Sequence, residues 1–209
     1  MRILFLGDSI TQGIGASSLE TCYVTLVGKK LGCEAVNYGI GGTRLAKQKK
    51  HYVPASFDMD FQLRASEMYK ETDRVFVFGG TNDYGHGDSL LGEYGVKDPY
   101  TFYGGVQIVA DKLIEIYGKE KLCFILPLHR YGDETPRREN GEPLAAYVAA
   151  LKDVLEKYGI EYIDLFENGF DRPLVNTGDE YTVDGLHPND KGHALIADKV
   201  CEYMRKKMA

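Results

Sequence analysis

The chain has 209 residues, with 25 Lys and Arg against 31 Asp and Glu, and its formal net charge is −6. A nucleic-acid partner is not expected, because neutralising phosphates requires clustered basic side chains. No stretch approaches the roughly 20 apolar residues of a membrane helix, and the apolar run before Gly7 is too short for a secretory leader. These features predict a cytoplasmic protein.

Apolar runs of strand length alternate with segments of helical periodicity along the chain. The predicted strands are Arg2–Leu6, Ala35–Tyr38, Arg74–Phe78, Lys121–Leu126 and Glu161–Leu165. The predicted helices are Tyr23–Leu31, Phe61–Tyr69, 102–116, 144–158 and 195–204. Several strands are continuously apolar, as expected for strands that are covered on both faces. The alternation predicts one α/β domain over residues 1–209, with a five-stranded parallel sheet between helices.

The short basic runs and the four cysteines have ordinary structural interpretations. The short basic runs at 47–50, 137–138 and 205–207 are interpreted as solvated surface. The four cysteines show no metal-ligand spacing, so reduced thiols are expected.

Polar motifs follow the predicted strands at the points where those strands end. Ser9 follows the first strand, Gly39–Gly42 the second and Gly79–Asp83 the third. Asp184 and His187 end the loop after the fifth strand and are expected to open the last helix. Because ligands bind outside the carboxyl ends of strands in open α/β sheets, these segments should meet at one rim.

Ser9 and His187 are candidates for nucleophilic catalysis. A serine hydroxyl attacks poorly until a base removes its proton, and an imidazole can accept that proton at neutral pH. Asp184, three residues before His187, can accept a hydrogen bond from the ring and orient it. Ser9 and Asp184 also have structural interpretations. Ser9 could be a turn residue or a helix cap, and Asp184 could cap the final helix.

Gly42 and Asn82 are candidate oxyanion donors, together with the Ser9 backbone N–H. A glycine lets the main chain approach a substrate oxygen, and an asparagine side chain offers a neutral N–H. The structural alternatives are a tight turn at Gly42 and a turn-stabilising side chain at Asn82.

Four motifs together resemble the blocks of the SGNH hydrolases, also called GDSL esterases and lipases. They are Gly7-Asp8-Ser9-Ile10-Thr11, Asn37-Tyr38-Gly39-Ile40-Gly41-Gly42, Gly80-Thr81-Asn82-Asp83 and Asp184-Gly185-Leu186-His187-Pro188. The resemblance implies a flavodoxin-like three-layer α/β/α sandwich. It also implies Ser9 as nucleophile and oxyanion donor, Gly42 rather than Gly39 or Gly41 as second donor, and Asn82 as third. Asp184 and His187 would complete the triad.

The expected function is hydrolysis of a small-molecule acyl ester without a metal or an organic cofactor. The preferred substrate is a short, acetyl-like acyl group on a sugar or another small polar alcohol. Arg44, close behind Gly42, and Arg130, just past the fourth strand, are candidates for binding an anionic substrate group, with a solvated surface position as the alternative for both. Tyr84 is a candidate because loop tyrosines can line a sugar-binding surface. A homo-oligomer is compatible with the sequence.

Three other functions remain open at this stage. A lysophospholipase or thioesterase would use the same catalytic residues on another acyl substrate. A metal-dependent phosphoesterase would use the polar groups that crowd the predicted rim, namely Asp8, Asn82, Asp83, Asp184 and His187. A non-catalytic binding module of flavodoxin type would require neither Asp184 nor His187.

Overall fold

A five-stranded, all-parallel sheet with the order β2-β1-β3-β4-β5 forms the centre of the structure. This computed structural model describes residues 1–51, 54–137 and 141–208, so Arg138 of the predicted basic run lies outside the described residues. The strands are β1 Arg2–Gly7, β2 Glu34–Gly39, β3 Arg74–Phe78, β4 Leu122–Ile125 and β5 Glu161–Ile163. The predicted parallel sheet is confirmed.

Helices cover both faces of this sheet. They are α1 Ser9–Gln12, α2 Tyr23–Leu31, α3 Phe61–Arg64, α4 Thr81–Gly85, α5 Phe102–Tyr117, α6 Leu144–Tyr158, α7 Leu165–Asn168 and α8 Asp190–Met208. Helices α2 and α8 pack together on one face, while α3, α5 and α6 pack on the other. The predicted three-layer sandwich is therefore confirmed. Within the described ranges, no helix combines the length and apolar character needed to cross a bilayer.

Alternate residues of β1 serve the two halves of the core. Ile3 and Phe5 pack on the side of α2 and α8, whereas Leu4 and Leu6 pack on the side of α5 and α6. All four side chains are fully buried. Because both faces of the strand are covered, the sequence is continuously apolar here instead of alternating.

Three predicted boundaries were wrong. The helix predicted over Phe61–Tyr69 ends at Arg64, where a tight turn follows and the Glu67 N–H donates to the Arg64 carbonyl at 3.0 Å. Strand β5 stops at Ile163, because the Asp164 side chain accepts from the Glu167 N–H at 3.0 Å and caps α7. Helix α8 begins at Asp190, so His187 lies in the preceding loop and not in the helix.

The side chain of Arg64 joins the segments that leave β1 and β2. It is 4% exposed and donates to the carbonyls of Met59, Tyr38 and Gly7 at 2.8, 2.6 and 3.1 Å. It also donates to Thr43 Oγ1 at 2.7 Å. The Gly7 and Tyr38 carbonyls lie at the carboxyl ends of β1 and β2, and the Met59 carbonyl lies in the loop before α3. One buried guanidinium therefore joins these three segments by hydrogen bonds to their backbone.

We predict that Arg64→Met lowers the free energy of unfolding by about 3 kcal/mol or more, because several buried carbonyls would lose a charged donor. Urea denaturation measures this loss. Arg205→Met, on the exposed last turn of α8, is the matched control and should change stability by less than about 0.5 kcal/mol. Equal stability of the two variants would contradict the role assigned to Arg64.

Candidate active site

Ser9 begins a short helix directly beyond the carboxyl end of β1. The Asp8 side chain caps this helix by accepting from the Ile10 N–H at 3.0 Å. Burial raises the pKa of Asp8 to about 6, although the bond from Ile10 and nearby positive charges oppose this shift. The cap fixes the backbone on both sides of Ser9, which is itself 7% exposed.

The three predicted triad residues form one hydrogen-bonded chain. His187 Nε2 lies 3.0 Å from Ser9 Oγ, and His187 Nδ1 lies 2.7 Å from Asp184 Oδ2. The other Asp184 oxygen, Oδ1, accepts from the backbone N–H groups of Leu186 and His187 at 3.0 and 2.7 Å. Burial acts to raise the pKa of Asp184, but its bonds to the His187 ring and backbone lower it overall. Asp184 is therefore held as a carboxylate that can orient the imidazole.

Ser9 and His187 are 178 positions apart in sequence, and the turn after α1 holds them together. Gly15 has a φ of +93°, and a Cβ there would lie 2.3 Å from the Pro188 carbonyl oxygen. Next in this turn, the Ser17 N–H and hydroxyl donate to Asp190 at 2.8 and 2.7 Å. The close approach at Gly15 requires glycine, and the contacts to Asp190 anchor the turn on α8.

The N–H groups predicted as oxyanion donors differ from their neighbours in how they are hydrogen-bonded. Among the described residues, neither the Ser9 nor the Gly42 backbone N–H has a hydrogen-bond partner. By contrast, the N–H groups of Gly39 and Gly41 donate to the side chains of Asn37 and Gln12, both at 2.8 Å. The Asn82 amide donates to the Thr43 carbonyl at 3.1 Å and keeps a second N–H. This pattern favours Gly42 over Gly39 and Gly41 as a donor.

The buried carboxylate of Asp83 connects the segments that carry Asn82 and Gly42. Its two oxygens accept from the backbone N–H groups of Leu45 and Ala46 at 3.0 and 2.9 Å. Burial raises the pKa of Asp83 to about 7 against these bonds. The contact sets the distance between α4 and the loop that follows β2.

Two of the predicted substrate-binding residues are buried instead. Arg44 has no exposed surface, and its Nη2 donates to the Phe57 carbonyl at 2.8 Å. Tyr84 is 1% exposed, and its hydroxyl donates to the carbonyls of Gly132 and Thr135 at 2.7 and 2.9 Å. Both side chains hold loops together through these hydrogen bonds, so neither is retained as a substrate-binding residue.

Arg130, the third predicted substrate-binding residue, lies at the rim of the site. Its Nη1 atom is 3.2 Å from both the carbonyl and the hydroxyl oxygen of Thr81, the residue before Asn82. The side chain is only partly buried. Its position is therefore compatible with a contact to substrate.

Phe57 borders the site and was not predicted from the sequence. A Cβ at Gly42 would lie 2.3 to 2.5 Å from its ring, and Gly42 has a φ of +75°. The Phe57 ring centre lies 5.5 Å from that of His86. The sequence around Phe57 does not indicate that its ring packs against the loop of Gly42, some 15 positions earlier.

A metal centre requires several ligating side chains that converge on one point. No group of three or more His, Cys, Asp or Glu side chains in this part of the chain is arranged to hold a metal ion. The four cysteines are free, and Cys22, Cys123 and Cys201 are buried.

Comparison with known families identifies one match over most of the chain. Residues 5–195 match the profile of the GDSL-like Lipase/Acylhydrolase family. This match confirms the resemblance that the four motifs indicated. No curated protein is similar enough in sequence to count as a match.

Solved structures share the fold over nearly their whole length. A protein from Lactobacillus plantarum is 27% identical with a TM-score of 0.79, covering 98% of this chain and 96% of its own. A structure described as a possible lipase from Chitinophaga pinensis is 20% identical with a TM-score of 0.75, covering 98% of both chains. An acetyl xylan esterase is 23% identical with a TM-score of 0.67, covering 97% and 99%. The last two similarities concern the fold alone.

The raised pKa of Asp8 predicts a pH-dependent loss of stability. Its neutral form is favoured in the fold, so the stability that it contributes is complete below its unfolded pKa near 4 and is lost as pH rises through about 6. Asp8→Asn keeps a capping oxygen and removes the titration. Between pH 5 and pH 8, wild type should lose about 1 kcal/mol relative to this variant in urea denaturation. A difference that does not change with pH would contradict the assignment.

Proposed function

Because the chain belongs to the GDSL-like lipase/acylhydrolase family and is a carboxylic ester hydrolase, we propose that Ser9, His187 and Asp184 form its catalytic triad. The observation that carries this proposal is the continuous chain of hydrogen bonds, 3.0 Å from Ser9 to His187 and 2.7 Å from His187 to Asp184. A flavodoxin-type binding module would have no use for this arrangement.

In the proposed reaction, Ser9 Oγ attacks the ester carbonyl while His187 Nε2 takes its proton. The negative oxygen of the tetrahedral intermediate accepts hydrogen bonds from the N–H groups of Ser9, Gly42 and Asn82. His187 then returns the proton to the departing alcohol oxygen. A water molecule, deprotonated by His187, cleaves the acyl-enzyme and restores Ser9. The cycle needs no metal ion and no organic cofactor.

For the substrate, we favour a short, acetyl-like acyl group on a sugar or another small polar alcohol. The Phe57 ring occupies the space next to Gly42, which limits room beside one oxyanion donor. The acetyl xylan esterase among the structural relatives is in keeping with this choice.

We also propose that the chain forms a single domain, that it is cytoplasmic and that it assembles as a homo-oligomer.

We predict that Ser9→Ala folds normally but loses almost all turnover of 4-nitrophenyl acetate. The rate that remains should be at most about 10³–10⁴ times that in water, because only binding and the oxyanion donors persist. Circular dichroism checks the fold and steady-state kinetics give kcat. The matched control is Ser66→Ala, at an exposed serine after α3, which should keep the wild-type rate.

A folded Ser9→Ala variant with near wild-type turnover would end the proposal. Incubation with a chelator tests the phosphoesterase alternative, since loss of ester hydrolysis on chelation, regained with added metal, would favour a metal-dependent reaction.

The aromatic ring of Phe57 should set the preference for short acyl groups. Across 4-nitrophenyl esters from acetate to octanoate, wild-type kcat/KM should fall with chain length. Phe57→Ala should raise the butyrate-to-acetate ratio about tenfold, because one or two methylenes in a pocket are worth about 1–3 kcal/mol. Tyr69→Ala is the control, since Tyr69 lies against Arg2 at the amino end of β1.

A wild-type optimum at octanoate would contradict the short-acyl proposal and favour the lysophospholipase alternative. A matched thioester series measured on the same enzyme separates the thioesterase alternative, which requires faster turnover of the thioester than of the oxygen ester.

A further inference from the structure

Two arginines contact one aromatic residue, Tyr84 of α4, and one of them, Arg130, lies within electrostatic range of Asp184. The guanidinium carbons of Arg130 and Arg137 are 5.6 and 5.7 Å from the ring centre of the same residue, Tyr84. Arg130 is partly buried, whereas Arg137 is exposed. Burial lowers the pKa of Arg130, and the nearby positive charge of Arg137 lowers it further.

Neither arginine forms an ion pair with a carboxylate of the described residues. Arg130 donates to oxygens of Thr81, and Arg137 donates to the Tyr84 hydroxyl and the Tyr131 carbonyl at 3.1 and 2.6 Å, all of them neutral. The Nε atom of Arg130 is buried and has no hydrogen-bond partner. Buried or clustered charges are ordinarily paired. The carboxylates of Asp8 and Asp184 attract Arg130 through space, but no carboxylate of the described residues forms a hydrogen bond with either guanidinium.

Nearby Arg172 shows what a paired arginine looks like in this part of the structure. Its guanidinium contacts Asp133 at 2.6 Å and Glu134 at 2.7 Å. Both carboxylates are therefore already engaged by a third arginine. The contrast indicates that the charges of Arg130 and Arg137 are available for a ligand.

The segment that carries the two arginines lies against the loop of Asp184 and His187. The Tyr131 N–H donates to the Gly185 carbonyl at 2.7 Å, which places the 130–137 segment against the residue after Asp184. Arg137 also lines a surface cavity of about 340 Å³. Since His187 must reach the departing oxygen, an alcohol that carries a second functional group could extend towards this cavity.

We propose that Arg130 and Arg137 bind a carboxylate or phosphate on the alcohol part of the substrate, so that the enzyme prefers anionic esters. This inference rests on the proposed ester hydrolysis. A guanidinium presents planar, paired donors that match both kinds of oxyanion, and such charge-assisted hydrogen bonds are stronger than neutral ones.

The test compares three acetate esters that differ in the alcohol: 4-acetoxybenzoate, 4-acetoxyphenyl phosphate and the neutral 4-acetoxybenzamide. For each enzyme, kcat/KM for an anionic ester is divided by kcat/KM for the neutral ester. This anionic-to-neutral ratio is then compared between variant and wild type, so that intrinsic differences in reactivity between the esters cancel. Arg137→Gln should lower this ratio about tenfold, mainly through KM. Comparison of 4-acetoxybenzoate with 4-acetoxyphenyl phosphate shows whether the enzyme prefers a carboxylate or a phosphate.

Two further variants control for charge and for folding. Arg205→Gln removes the same charge from the exposed end of α8 and should keep the wild-type ratio. Arg130→Lys retains the charge but removes the paired donors and the buried Nε, so it should lower the ratio although the positive charge remains. Thermal denaturation confirms that each variant is folded.

An unchanged ratio in both Arg137→Gln and Arg130→Lys would overturn the anion site while leaving ester hydrolysis intact. Binding to the inactive Ser9→Ala variant separates the two proposals, because it requires no turnover. Calorimetric titration should show tighter binding of 4-acetoxybenzoate than of 4-acetoxybenzamide, and equal affinities would refute the anion site. Absence of all ester hydrolysis in wild type would instead refute the proposed function.

Discussion

The carboxyl edge of the sheet depends on two buried charges that replace the hydrogen bonds of secondary structure. The guanidinium of Arg64 binds the carbonyls of Gly7 and Tyr38, where β1 and β2 end, and also reaches Thr43 beyond Gly42. The carboxylate of Asp83 binds the backbone on the other side of the same loop. Because these side chains hold the backbone from within, the N–H groups of Ser9 and Gly42 are left for the oxyanion of the proposed reaction, which is what preorganised stabilisation requires.

The fold could be predicted from the sequence because its central strands are buried on both faces. Residues such as Leu4 and Phe5 are both fully buried, so the apolar run is continuous and easily recognised. The errors occurred where one polar side chain decides where an element begins or ends. Asp164 turns the end of the predicted fifth strand into a helix by capping it, and the chain turns tightly after Arg64. Such local hydrogen bonds compete with periodicity and leave little trace in it.

The candidate catalytic residues could be placed in advance because a parallel sheet brings its carboxyl ends to one rim. The surrounding residues could not, because their environment depends on how long loops fold over one another. Arg44 and Tyr84 lie close to the motifs in sequence but are buried and donate hydrogen bonds to other loops. Arg137 lies far from every motif in sequence, yet its guanidinium contacts the same aromatic ring as that of Arg130.

The overall charge of the chain limits how an anionic substrate could be recognised. With a net charge of −6, the protein as a whole repels an anion at long range, and this repulsion weakens as salt screens it. The attraction from Arg130 and Arg137 must therefore act at short range, through hydrogen bonds formed after the ester has entered the rim. Charges used in this way alter the dissociation of bound substrate more than its rate of arrival. Selectivity would then reside in the contacts beside Asp184, while Ser9, Gly42 and Asn82 would act alike on any acetate ester.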